Sequence, residues 1–435
     1  METGKTLYGT TRLAFDMVEG VTNIVEGMYR NIAATPLPFG RAPEGPAPGI
    51  AGLVHEIVRG SNQLIRKTTD LALLPTVEYI DRLYPPGPYR AAIIAALNGV
   101  CGDHLACTAN PLAIAMRMRV FLPLDTTESE QASSEQNVAF GKLFETQRRP
   151  VDIFPNPEAF SEPDFQPTGR VLILAHGLCM NDMEWTADQH NHGHMLAQEY
   201  GYTPVFALYN TGRYISDNGC EFADQIAGLI ESWPVPVESV TLIGFSMGGL
   251  VARSALHLAE QQQADWLRKV DKVVYVGTPH HGSALERGGY WLQKSATYSP
   301  YTAPLAALGK VRSDGITDLR HGNIRPADWQ EHDEHEDNAD HRQPTPLAAG
   351  IEHYAIGATL SKQPAERLSQ LRSDGLVHPA SSGGKHRDPA FKLGFDKDSF
   401  YLIHDLGHLA MLRDQRVAAK LKEWLALSGQ REKSL

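Results

Sequence analysis

The chain has 435 residues, enough to bury a substantial core either as one large domain or as a core domain with an appendage. It carries 40 Lys and Arg against 51 Asp and Glu, a formal charge of -11 that a phosphate backbone would repel, which argues against nucleic-acid binding. Four cysteines, Cys101, Cys107, Cys179 and Cys220, are too few and too irregularly spaced for a disulfide framework or a paired zinc motif, so buried free thiols are expected.

The opening stretch METGKTLYGTTRLAF lacks a basic segment followed by an apolar core, and no later run approaches the roughly 18 apolar residues of a membrane span. A soluble cytoplasmic protein is expected. From Leu13 to Ile32 the residues Val18, Val21, Val25, Met28 and Ile32 recur every three or four positions, as on one helix face. GRAPEGPAPG, Gly40 to Gly49, breaks that pattern, and a second amphipathic pattern follows through Leu53, Ile57 and Leu64. A third, YRAAIIAALNG, is shorter and nearly all apolar. Residues 1–110 are therefore read as a helical amino-terminal region that packs on itself and on the main domain; peripheral membrane contact through these helices is the alternative.

Residues 111–435 are read as the catalytic domain, with the boundary near Pro111. MRMRVFL alternates like a strand, and a polar, proline-containing stretch then runs from Asp125 to Gly169. Beyond it, short β-rich runs alternate with helical ones: RVLILAHG, TPVFALYN, SVTLIGFS, KVVYVGTP and EHYAIGA. The pattern predicts an α/β fold with a mostly parallel central sheet covered on both faces. No internal repeat is found.

The chemistry centres on LIGFSMGGLVARSA, Leu242 to Ala255. SVTLIGF reads as a strand and MGGLVARSALHLAEQQ as a helix, so Ser246 sits on a strand-to-helix turn. Gly-x-Ser-x-Gly suits that place because Gly244 and Gly248 must lack side chains where the turn is so sharp, leaving the hydroxyl exposed at the sheet edge. The pentapeptide alone recurs by chance; its placement and its partners decide. A serine needs a base, and the base a carboxylate, in the downstream order serine, acid, histidine. SDGI, Ser313 to Ile316, and SDGL, Ser373 to Leu376, offer two aspartates. Only the second follows a late sheet strand, so Asp374 is chosen and Asp314 is read as a solvated turn residue. In YLIHDLGHLAMLRDQRVAAKLKEWL, His408 is preferred over His404 because it follows a glycine in a loop leading to the closing helix. The expected oxyanion donors are the amides of Met247, after the nucleophile, and Leu178, in LILAHGLCMND, where His176 and Gly177 close the turn.

HGL, GFSMGG, GTPHHGS and SDGLV together resemble an α/β-hydrolase of the lipase and esterase type, nearest to the group related to GPI inositol-deacylase. The resemblance spans roughly Arg170 to Leu427 and is silent about residues 1–110. It implies a serine carboxylic-ester hydrolase with Ser246, Asp374 and His408 as triad and Leu178 and Met247 as oxyanion donors. Phe245 departs from the pattern, many relatives having histidine there. GTPHHGSALERGGYW borders the pocket and begins the cap in such relatives, so His280 and His281 are expected to shape the cleft wall rather than act as base. The long insertion at about 280–350 is read as a lid over the cleft.

Two histidine-rich segments are decoys. DWQEHDEHEDNADHR, with His332, His335 and His341, reads as a hydrated loop, and DQHNHGHML, with His190, His192 and His194, as helix capping or cleft lining. No metal and no cofactor are expected. The expected substrate is an ester or lipid small molecule. Acyl transfer by the same triad, and a catalytically idle scaffold that binds a membrane or a partner, are the rival readings.

Overall fold

The computed structural model describes residues 4–16, 88–123, 148–187, 190–283, 313–330, 340–362, 373–395 and 397–426, with a few isolated positions before residue 68. They fall into two compact units: Met1–Ala91 with His104–Ala113, and Ala92–Asp103 with Ile114–Leu435. In the first unit residues 4–16 are helical, and the side-chain Nδ2 of Asn110 donates to the Gly9 carbonyl at 3.0 Å. The patterns through Val21 to Ile32 and through Leu53, Ile57 and Leu64 lie outside the described residues. YRAAIIAALNG lies in helix α1 (Pro88–Cys107), which kinks at Cys101. The expected boundary at Pro111 falls beside Ile114, yet Ala92–Asp103 belongs with the larger unit. There Gly102 accepts from the Asn210 side chain at 2.8 Å, and Gly99 accepts from Ser313 Oγ at 2.7 Å.

The larger unit is built on eight strands in the order β10-β9-β8-β7-β3-β6-β1-β2. In chain order these are β1 (Arg117–Pro123), β2 (Arg148–Phe154), β3 (Arg170–Ala175), β6 (Thr203–Leu208), β7 (Ser239–Phe245), β8 (Val270–Val276), β9 (Glu352–Thr359) and β10 (Phe400–His404). A small ribbon, β4 (Thr186–Ala187) with β5 (His190–Asn191), stands apart. From β10 through β6 all pairings are parallel; β1 runs antiparallel to β6 and to β2. The sheet is thus mostly parallel, as the alternation of strands and helices predicted. Strand β2 lies in the stretch read only as polar and proline-containing. Its inward residues Val151 and Ile153 are buried, and Pro150 is tolerated because β2 is an edge strand with no further neighbour needing that amide.

Central strands buried on both faces need near-continuous apolar runs, which RVLILA and SVTLIGF supply. Val171, Ile173, Val240 and Leu242 face one core with Phe222, Ile226 and Leu229 of α3 (Ile215–Ser232) and Leu250 and Val251 of α4 (Met247–Gln262). Leu172, Leu174, Ile243 and Phe245 face the other, with Leu196 of α2 (His192–Tyr200) and Val417, Leu421 and Trp424 of α6 (Gln415–Leu425).

Three expectations are revised. Asp314 is no solvated turn residue: it opens α5 (Asp314–His321), capped by Ser313, whose Oγ accepts from the Ile316 amide. The described part of the insertion is built into the unit rather than laid over it, since Asp318 Oδ2 accepts from the Ile215 amide at 2.6 Å and Ser254 Oγ donates to Ile324 O at 2.6 Å. Residues 284–312 and 331–339 of the insertion read as a lid are outside the described residues. The thiols are free, but Cys107 and Cys220 are exposed rather than buried.

Candidate active site

The carboxyl edge of the parallel strands is where loops from β3, β7, β8 and β9 meet. Ser246 follows β7 directly and precedes α4, with φ 52 and ψ -119. For a residue with a Cβ this conformation costs on the order of 1–3 kcal/mol and persists only where surroundings impose it. They do. The Ser246 amide donates to Val276 O at 2.8 Å, and a Cβ on Gly248 would lie 2.2 Å from Ala175 O and 2.6 Å from His176 O. A Cβ on Gly244 would come within 2.4 Å of the Gly249 Cα. Both glycines are required by close backbone approach, as the motif predicted. Ser246 is less exposed than expected, at 8%.

Asp374 follows β9 in a tight turn that its own carboxylate organises. Oδ1 accepts from the amides of Leu376 at 2.9 Å and Val377 at 2.8 Å. Oδ2 is left for His408 Nδ1, 2.8 Å away, and the His408 amide donates to Asp374 O at 3.0 Å. Both side chains are buried. The His408 ring lies 4.9 Å from that of Phe245, the residue before Ser246, and next to Gly277, where a Cβ would meet His408 Cε1 at 2.9 Å. With Nδ1 committed to the carboxylate, Nε2 is the free ring nitrogen, buried and without a partner. Asp374 and His408 are therefore brought together, while no hydrogen bond joins His408 Nε2 to Ser246. Such contacts are often long in the free state and tighten when substrate binds. His404 instead ends β10, opposite Thr359, and its Nδ1 is buried without a partner.

The loop after β3 is rigid for visible reasons. The Cys179 amide donates to Thr211 Oγ1 at 3.1 Å, Asn181 Oδ1 accepts from the Met183 amide at 2.9 Å, and Arg119 Nε donates to the buried Asp182 at 2.6 Å. Gly177 brings the loop against the elbow, since a Cβ there would lie 3.2 Å from the Ser246 Cβ. Among the described residues neither the Leu178 nor the Met247 amide meets an acceptor.

His176 has a larger part than closing a turn. Its Nδ1 donates to Gly177 O at 2.9 Å, and its Nε2 accepts from the Tyr209 amide at 3.4 Å. The ring stacks on Tyr209 at 4.4 Å, and burial lowers its pKa to about 4, so it is neutral at pH 7. Gly177 O also accepts from the Met180 amide at 3.3 Å. Holding that carbonyl fixes the peptide plane, so the trans-related Leu178 N–H points the opposite way. On the same loop, burial raises the Glu184 carboxyl to about 8. Neither role has a signal in sequence beyond residue type.

The histidines of DQHNHGHML are held in internal contacts. His192 Nε2 donates to Met411 O at 3.0 Å and its Nδ1 accepts from His190 at 2.8 Å, while the Asn191 side chain caps α2 by accepting from the His194 amide. His280 does not line the cleft; it is buried between Arg253 and the rings of Tyr275 and Phe395. Among the described residues no group of three or more His, Cys, Asp or Glu is arranged to hold a metal ion, and no helix is long and apolar enough to cross a membrane. His332 and His335 lie outside the described residues.

Residues 206–356 match the family model of the PGAP1-like alpha/beta domain. That stretch, about a third of the chain, runs from β6 through β9 and contains Ser246 but neither Asp374 nor His408. The chain matches none of the curated proteins. Similar solved structures include the Bacillus licheniformis lipase BlEst2 in mature form, at 18% identity over 61% of this chain and 96% of that one with a TM-score of 0.40. The Staphylococcus hyicus lipase is 13% identical over 59% and 94%, with a TM-score of 0.32. Phospholipase PlaB from Legionella pneumophila is 15% identical over 49% and 45%, with a TM-score of 0.31. A mostly parallel eight-stranded sheet that contains the stretch matching the PGAP1-like alpha/beta domain thus has the architecture of an α/β-hydrolase, and over residues 206–356 the chain is similar to the PGAP1-like group.

Proposed function

We propose that the protein is a serine hydrolase that cleaves carboxylic esters, lipid esters among them, through an acyl-enzyme. The observation that carries the reading is the buried 2.8 Å bond from His408 Nδ1 to Asp374, at the sheet edge where Ser246 occupies a strained strand-to-helix turn. That bond selects the tautomer whose Nε2 can accept a proton. His408 Nε2 takes the proton of Ser246 as Oγ attacks the ester carbonyl. The amides of Leu178 and Met247 stabilise the tetrahedral oxyanion. His408 then protonates the departing alcohol, and the same imidazole activates the water that releases the acid and restores Ser246.

A fluorophosphonate probe and a series of p-nitrophenyl esters test this together. Wild-type protein should be labelled at Ser246 and turn over at least one ester, and Ser246→Ala should lose labelling and about 10⁴- to 10⁶-fold in kcat, as when a triad nucleophile is removed. Ester cleavage at an unchanged rate in Ser246→Ala overturns the proposal.

A further inference from the structure

Away from the Ser246 edge, a second polar site lies behind the elbow helix. A cavity of about 20 Å³ is lined by Arg253, His280, Arg342 and Asp328, among others. By that measure one water needs about 10–15 Å³, so the space suits a single compact polar group and excludes a chain. Arg253 is seven residues beyond Ser246 on α4, about 10 Å along the axis.

The lining is short of acceptors. Arg253 is only 6% exposed, yet among the described residues no carboxylate lies within ion-pair distance of it. Its Nη2 donates to Thr345 O at 2.8 Å and its Nη1 to His280 Nδ1 at 3.4 Å, but Nε is buried without a partner. With Nδ1 accepting, the His280 ring carries its proton on Nε2, and that N–H is also buried without a partner. Asp328 does not make up the deficit: Oδ1 accepts from the Gln343 amide at 3.1 Å, and Oδ2 from those of Ile324 at 3.1 Å and Arg325 at 3.0 Å. Arg342 is held by Asp340 at 2.7 Å while its Nη1 reaches His280 O at 3.3 Å. A buried guanidinium without an anion is costly, and orphaned donors add to the cost.

We propose that this cavity binds one tetrahedral oxyanion, a phosphate or the phosphate of a phosphomonoester, with Arg253, Arg342 and His280 as its donors. A tetrahedral ion presents oxygens in several directions at once, which matches donors converging from α4, from the turn after β8 and from the segment that carries Arg342. The proposal is independent of ester cleavage.

The test is thermal unfolding and titration calorimetry of the full chain with inorganic phosphate against chloride at matched ionic strength. Phosphate should raise the Tm saturably where chloride does not, and Ser246→Ala should respond like wild type. Arg253→Gln should abolish the response. Should that variant not fold, Arg342→Gln, whose guanidinium is also held outside the cavity by Asp340, should weaken phosphate binding by roughly tenfold, as expected for losing one charge-assisted donor. Glycerol phosphate and phosphatidic acid vesicles then separate the sources: binding of the soluble ester alone names a free metabolite, and flotation with vesicles that Arg342→Gln weakens names a lipid headgroup. Equal Tm changes in phosphate and chloride, a phosphate response that survives in folded Arg253→Gln, or phosphate binding as tight as wild type in Arg342→Gln, would overturn the assignment.

Discussion

His404 and His408 stand four residues apart, and their surroundings give them different chemistry. His408 donates to a buried carboxylate whose other oxygen is pinned by two amides; His404 ends an edge strand without such a partner. Under the proposed mechanism His408→Ala should remove nearly all ester turnover while His404→Ala keeps most of it, and kcat for a p-nitrophenyl ester distinguishes them. Asp374→Asn should cost about 10⁴-fold in kcat by disturbing the tautomer rather than the fold. In that mechanism His176 would act at one remove, through the Gly177 carbonyl it holds. Replacing it with Ala should lower kcat by roughly tenfold or more with KM little changed, since a mis-aimed oxyanion donor is felt in the transition state. A fall confined to KM would remove His176 from that role.

At the scale of elements, the elbow is a contact of backbones. Strand β3 and the start of α4 approach so closely that Gly248→Ala puts a methyl group 2.2 Å from the Ala175 carbonyl oxygen, and neither partner is a side chain that can turn away. The expected cost is about 1–3 kcal/mol or more, read as a lower urea midpoint with an unchanged m-value. The α5 cap makes a second such point. Ser313 is fully buried; its Oγ accepts from the Ile316 amide and donates to Gly99 O, tying the insertion to α1. Ser313→Ala should destabilise by about 1–2 kcal/mol, and a change below a few tenths in urea unfolding would show that the cap is dispensable.

For the molecule as a whole, buried neutral imidazoles set a limit on acid stability. Burial lowers His176 and His192 from 6.5 to about 4. Between those values the unfolded chain binds more protons than the folded one, so stability is present above pH 6.5 and is lost as pH falls towards 4. Each imidazole accounts for on the order of 3 kcal/mol of that loss. Urea midpoints measured from pH 7 to pH 4 should fall, and fall less steeply in His192→Gln; a flat profile would contradict the burial of these rings.

Sequence alone determined whatever is written in periodicity and in short spacings. The apolar runs of β3, β7 and β8, alternating with helical segments, pointed to strands of a parallel sheet, and the glycines flanking Ser246 announced a turn too tight for side chains, because both are local properties of consecutive residues. The choice of Asp374 over Asp314 also rested on local order, one following a strand and the other not. Tertiary structure decided what depends on distant partners. Strand β2 pairs at an edge that its polar, proline-containing neighbourhood hid, and α5 is fixed by contacts to Gly99 and Ile215 from remote segments. His280 and His281 looked alike as neighbours in GTPHHGS, yet His280 is fully buried with its Nδ1 accepting from Arg253, while His281 is only part-buried. A hydrogen bond between residues far apart in the chain leaves no periodic trace, so folding is needed to bring its partners, or their absence, into view.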